Sequence, residues 1–114
     1  MSEDTIFGKI VRGEAPANIV YEDDQCMAFR DLYPAAPTHI LLIPRKPIPR
    51  LCDAKPEDQA LLGHMLIVAS NIAEQEGIRD KYRLVINNGA EAGQTVFHLH
   101  MHIIGKRDLS WPPG

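Results

Sequence analysis

Between Phe97 and Ile104 the chain reads Phe97-His98-Leu99-His100-Met101-His102-Ile103-Ile104, an alternation of apolar residue and histidine with a period of two. Only an extended backbone sends successive side chains to opposite sides, so the spacing predicts a strand over residues 96–104. Phe97, Leu99, Met101 and Ile103 then face a core, while His98, His100 and His102 share the other surface. A chain of 114 residues supports one core and not two comfortable ones, so the strand belongs to a single domain spanning residues 1–114.

The rest of the chain supplies partners for that strand. Residues 4–13 place Ile6, Phe7, Ile10 and Val11 on one helical face and end on Gly13, which predicts a short N-terminal helix. Two β-prone runs, residues 18–22 and 25–30, flank Asp23-Asp24 and read as a hairpin. Pro37 and Pro44 fence a third strand over residues 38–43, because proline cannot donate to a sheet ladder. From Pro56 onward, acids follow a proline at the positive end of a helix dipole, and Leu61, Leu62, Met65, Leu66, Ala69, Ile72 and Ala73 recur at spacings of three and four. That is a long central helix, closed by Gly77. His64 lies beside its apolar face and reads as a surface or packing histidine. A fourth strand over residues 83–87 and a glycine-rich loop from Asn88 to Gln94 lead into the histidines. Five strands and two helices make an α+β domain.

Composition narrows the partners. A net charge of -3 leaves no basic surface for a run of nucleic-acid phosphates, so polymeric DNA or RNA is not expected. Cys26 and Cys52 form no CxxC pair, which fits a reducing compartment. The acidic start Met1-Ser2-Glu3-Asp4-Thr5 is unlike a signal peptide, and no apolar run approaches the roughly 20 residues of a membrane span. The expectation is a cytoplasmic protein with no membrane partner.

Three chemistries compete for the histidine row. It can be a solvated face that tolerates polar residues. It can hold a metal, since neutral imidazole is a zinc ligand, but Cα atoms four residues apart on a strand are separated by roughly 13 Å, which strains joint ligation of one ion. It can also supply a nucleophile, because imidazole with a reference pKa near 6.5 is largely neutral at pH 7 and has an available lone pair. Phosphorus suits such a nucleophile when backbone N–H groups offset the charge that grows on its oxygens. The loop Asn87-Asn88-Gly89-Ala90-Glu91-Ala92-Gly93-Gln94-Thr95 stands where it could provide them. The expectation is no metal and no cofactor.

These residues resemble the histidine triad family, whose signature is His-φ-His-φ-His-φ-φ with φ apolar; His98 to Ile104 fits every position. The resemblance extends to Thr5-Ile6-Phe7-Gly8-Lys9-Ile10, Phe29-Arg30-Asp31-Leu32, Ala36-Pro37-Thr38-His39-Ile40, the Gly93-Gln94-Thr95-Val96-Phe97-His98 approach and the Trp111-Pro112-Pro113-Gly114 ending. The last two look like the Hint branch, the purine nucleoside phosphoramidases, rather than the dinucleoside polyphosphate hydrolases.

The resemblance implies a five-stranded antiparallel sheet carrying its helices on one face, and a homodimer that joins two sheets into ten strands. It implies hydrolysis of the P–N bond of a purine nucleoside 5′-phosphoramidate, with His100 attacking phosphorus and holding a nucleotidyl-imidazole. His102 and His98 would orient that ring, bind phosphate oxygen or pass a proton to the departing amine. Asn87, Gly93, Gln94 and Thr95 would surround the phosphate and Asp31 would bind the ribose hydroxyls. Ile6, Phe7, Ile10, Phe29 and Leu32 would enclose the base. His39 is either part of the site or a structural histidine, Asp31 could instead be a turn residue, and the apolar residues could simply be core. Trp111 would reach the partner's active site or pack on its own domain. Pro47 departs from the histidine frequent at its position among related chains. A non-catalytic module that binds purine nucleotides or a protein partner is the alternative from a different class.

Overall fold

The computed structural model describes residues 5–114. Helix α1 spans Ile6–Val11; strands β1, β2 and β3 span Ile19–Glu22, Cys26–Arg30 and Thr38–Pro44. Helix α2 covers Gln59–Gln75, and β4 (Tyr82–Val85) and β5 (Met101–Gly105) complete the set. The strands form one sheet in the order β1-β2-β3-β5-β4, with every neighbouring pair antiparallel. The five strands and two helices read from the sequence are all present.

Local chemistry sets the element ends. Thr5 caps α1 by accepting the Gly8 N–H at 3.0 Å. Asp23 shapes the hairpin: its Oδ1 accepts the N–H groups of Gln25 and Cys26, each at 2.8 Å, and its Oδ2 accepts the Tyr21 hydroxyl at 2.7 Å. His64 pairs with the same carboxylate at 2.7 Å and so fastens α2 to that turn. Pro56–Asp58 is a separate 3₁₀ turn preceding α2 rather than its first turn. Past the end of α2, Gly77 takes φ 79°, which lets its N–H reach Glu74 O and the Ile78 N–H reach Ala73 O.

Alternation sorts the sheet into two faces. Cys26, Ala28, Ile40, Leu42, Met101 and Ile103 pack against Met65, Val68, Ala69, Ile72 and Ala73 of α2. On the opposite face Met27, Phe29, Leu41 and Ile43 pack against Phe7 and Ile10 of α1. The two helices therefore cover opposite faces, a correction to the one-sided arrangement expected from the resemblance. A central strand such as β3 is buried along its whole length because each face has its own helix. Leu66, expected in the apolar stripe of α2, is half exposed, and Ile67 beside it is 64% exposed. No helix among the described residues is long and apolar enough to cross a membrane.

The histidine run is the second correction. Regular pairing starts at Met101, so His98 and His100 precede β5 instead of lying within it. Leu99, Met101 and Ile103 are buried as expected, but Phe97 is exposed. The Leu99 N–H bonds Ile48 O at 2.7 Å, a partner in the loop after β3 and not in a neighbouring strand. Periodicity alone could not locate that change of partner.

Candidate active site

The three histidines diverge in environment. His98 is fully buried, and its Nε2 donates to Pro44 O at 2.7 Å, which leaves Nδ1 enclosed without a partner among the described residues. It stays on the same side of the sheet as His100, since Phe7 of α1 packs edge-on to both rings, but it is sealed from solvent and does not line the cavity that the other two reach. His100 is held by its predecessor: its Nδ1 donates to the His98 carbonyl at 2.7 Å. A carbonyl can only accept, so the His100 proton sits on Nδ1 and the lone pair on Nε2. Phe7 packs edge-on to the same ring, 5.0 Å between centroids, and restricts its tilt.

His102 belongs to a second chain of contacts. The Ala35 N–H donates to His39 Nδ1 at 2.9 Å, so the neutral His39 ring carries its proton on Nε2. That Nε2 lies 2.9 Å from His102 Nδ1, which makes His39 the donor and leaves the His102 proton on Nε2. His102 Nε2 is enclosed and has no hydrogen-bond partner among the described residues. Asp31 Oδ2 lies 3.4 Å from His39 Nε2, while Oδ1 accepts the Tyr33 N–H at 2.8 Å. Asp31 is thus a turn residue and a member of the cluster at once. His39 sits on β3 two positions before Leu41, which registers with His102, so the antiparallel register brings the two rings together diagonally on one face.

Burial holds the rings neutral. It pushes the His100 ring below its ordinary value, partly offset by the bond to the His98 carbonyl. His102 is pushed down to about 4 by burial and then by the neighbouring rings of His100 and His39. Burial also lowers His98. A neutral His100 keeps a lone pair available at Nε2, and a neutral His102 offers a donor there.

His100 and His102 open onto a cavity of about 520 Å³. Its lining brings together Ile6, Phe7, Ile10, Phe29, Asp31, Leu32 and Thr95, all singled out in the sequence. Leu32 is 84% exposed and stands at the rim instead of enclosing anything. Asn87, Gly93 and Gln94 do not line the cavity. Gln94 is buried, its Oε1 accepting Gly89 N–H at 2.8 Å and its Nε2 donating to Pro49 O and Val96 O. The N–H groups of Ala92, Gly93 and Gln94 are also spent inside the loop, on Gly89 O and Ala90 O. Gly93 has φ 95°, a left-handed conformation that a residue with a side chain adopts only with strain. The loop is a braced support that ends at Thr95, the member that reaches the cavity. Trp111 is 81% exposed and is not part of this cavity.

Sequence reasoning missed Asn18, Tyr33, Leu41 and Val96, which also line the cavity. Leu41 had a signal, standing two residues after His39 on the same strand face. Asn18 and Val96 stand outside the observed strands although the sequence placed them within predicted ones, and Tyr33 reaches the cavity from a loop.

Asp31, His39 and His102 present ligand atoms within 4.8 Å of one another, close enough to meet a single ion. The donor set does not fit one. His39 Nδ1 faces an N–H donor, so in the neutral ring the proton occupies Nε2, the atom that would have to ligate. A second grouping, Asp23, Cys26 and His64, is already hydrogen-bonded through its carboxylate, and burial pushes the Cys26 thiol up to about 12.

Comparison with known proteins matches the HIT domain over residues 12–109. An uncharacterized HIT-like protein of Synechocystis is 66% identical over the full length of both chains. The crystal structure of a HIT family hydrolase from Legionella pneumophila superposes with a TM-score of 0.95 at 46% identity, covering 97% of this chain and 100% of that one. A histidine triad nucleotide-binding protein from Candida albicans gives a TM-score of 0.85 at 30% identity, over 96% and 83%. With the domain match covering most of its length, this chain belongs to the histidine triad family.

Proposed function

We propose that the protein is a hydrolase that cleaves the P–N bond of purine nucleoside 5′-phosphoramidates through a nucleotidyl-His100 intermediate. The observation that carries this reading is the 2.7 Å bond from His100 Nδ1 to the His98 carbonyl, which leaves the Nε2 lone pair on a ring that lines the cavity. His100 Nε2 attacks phosphorus and the P–N bond breaks. The leaving nitrogen takes a proton from His102 Nε2–H, while the His39 N–H held against His102 Nδ1 steadies the ring that has lost it. Water then attacks the nucleotidyl-imidazole and its proton returns to His102 Nε2, releasing the nucleoside monophosphate and restoring the His100 lone pair. His98 acts through its carbonyl, as the brace for His100. Thr95 stands beside the phosphate, and Asp31 takes the ribose hydroxyls. The hydrolase name of the Legionella relative and the nucleotide-binding name of the Candida relative support the reaction class and the ligand class.

The active form is a homodimer. Strand β4 ends the sheet with an unpaired edge, and pairing two such edges would make ten continuous strands. The exposed Leu66 and Ile67 on the outer face of α2 would be buried in the same contact. Trp111 then contacts the leaving group in the partner's site.

The test is release of AMP from an adenosine 5′-phosphoramidate bearing an amine leaving group, by wild type and by His100→Asn, with and without EDTA. The reading requires turnover by wild type alone, unaffected by EDTA. Binding of AMP with no turnover would make the protein a non-catalytic nucleotide-binding module, and loss of turnover with EDTA would bring back a metal.

A further inference from the structure

The cavity is lined from the histidines on β5 to the residues that precede β1, and the sheet register gives it a direction. His102 on β5 pairs with Leu41 on β3, Leu41 with Phe29 on β2, and Phe29 with Ile19 on β1. This row runs straight across the sheet from the histidines to its edge. Three strand spacings of about 4.8 Å make it roughly 14 Å long. Asp31, just past β2, lies between its two ends. A 5′-nucleotide with phosphorus at His100 and ribose at Asp31 therefore directs its base toward β1.

At that end the cavity is lined by Ala15, Pro16, Ala17 and Asn18. Asn18 precedes Ile19, and its backbone is fixed, its carbonyl accepting the Arg30 N–H at 3.1 Å. Arg30, next to Phe29, directs its side chain to the other side of the sheet, where it bonds Glu76 at the end of α2 at 3.1 and 2.9 Å. The Asn18 amide has no hydrogen bond among the described residues and is exposed to the cavity. A carboxamide carries a donor and an acceptor side by side, the complement of adenine's amino group and adjacent ring nitrogen.

We propose that Asn18 determines base specificity by reading the hydrogen-bonding edge of the purine, and favours adenine over a purine that lacks the exocyclic amino group. This rests on the phosphoramidase reading. It gives Asn18 no part in the chemical step, so its effect falls on the discrimination between two substrates and leaves the rate of P–N cleavage alone. Because the amide is exposed, the preference is moderate, about five- to tenfold.

The experiment measures kcat and KM for the 5′-phosphoramidates of adenosine and of purine riboside, with the same amine, in wild type, Asn18→Leu and Asn18→Ser. The expected result is a five- to tenfold higher kcat/KM for adenosine in wild type, expressed in KM, and a ratio near one in both variants with kcat unchanged. A ratio that is the same in all three proteins, with turnover intact, overturns the role of Asn18 and leaves the phosphoramidase reading standing. Absence of turnover in wild type on both substrates overturns the phosphoramidase reading itself, and the role of Asn18 falls with it.

Discussion

His39 Nε2 lies 2.9 Å from His102 Nδ1, and the opposite edge of the His39 ring accepts the Ala35 N–H. Together these contacts fix which nitrogen of His102 bears its proton, so a residue on a neighbouring strand sets the chemistry of the triad's last member. His39→Phe keeps the ring volume and removes the donor. It should lower kcat by about 10- to 100-fold for substrates with a poor amine leaving group, and much less for an activated leaving group that departs unprotonated. Equal losses on both substrates would show that the contact is only structural.

The pH profile follows from burial. His100 must be neutral to attack, and burial holds its ring below the ordinary value of 6.5. The acid limb of kcat/KM should therefore have its midpoint below 6.5, with a plateau at pH 7. A midpoint at or above 6.5 in wild type would contradict the neutral, buried nucleophile.

Stability shares this cause. Above pH 6.5 His102 is neutral in both folded and unfolded chains; between 6.5 and about 4 the unfolded chain binds a proton that the folded one refuses. Stability is therefore fully present above pH 6.5 and falls as pH drops toward 4, by at most about 3 kcal/mol from this ring. Urea midpoints measured at pH 7.5 and 5 should fall less for His102→Asn than for wild type. An equal fall would assign the acid sensitivity to other groups.

Gly105, at the end of β5, abuts Ile78: a Cβ there would lie 2.6 Å from Ile78 Cδ1 and 3.2 Å from Lys81 O. Gly105→Ala should destabilise the protein by about 1–3 kcal/mol, since the backbone oxygen cannot retreat as a side chain can. Thermal unfolding reads this directly, and an unchanged Tm would contradict the close packing.

The sequence was most legible where a period governs. The 3.6 spacing of Met65, Ala69, Ile72 and Ala73 and the twofold alternation of Leu99, Met101 and Ile103 give the buried positions as they stand. It was least legible where a local bond overrides the period. His98 keeps its face but is closed off from the cavity, its ring bonding Pro44 O, and Gln94 turns inward because its amide closes the loop from Gly89 to Val96. Pro44 is 54 residues from His98, so no repeat in the sequence joins the two. The cavity was readable as far as the family resemblance named its parts, and unreadable at Asn18 and Tyr33, whose place depends on how two loops meet at the sheet's edge.

The central claim is that His100 becomes covalently nucleotidylated. Acid-quenching the protein milliseconds after mixing with an adenosine 5′-phosphoramidate, followed by mass analysis of its peptides, tests it most directly. The account predicts one adenylyl group on the peptide that contains His100, absent in His100→Asn and lost on longer incubation as AMP appears. Turnover to AMP by the His100→Asn protein, or an adduct on another residue, would contradict it.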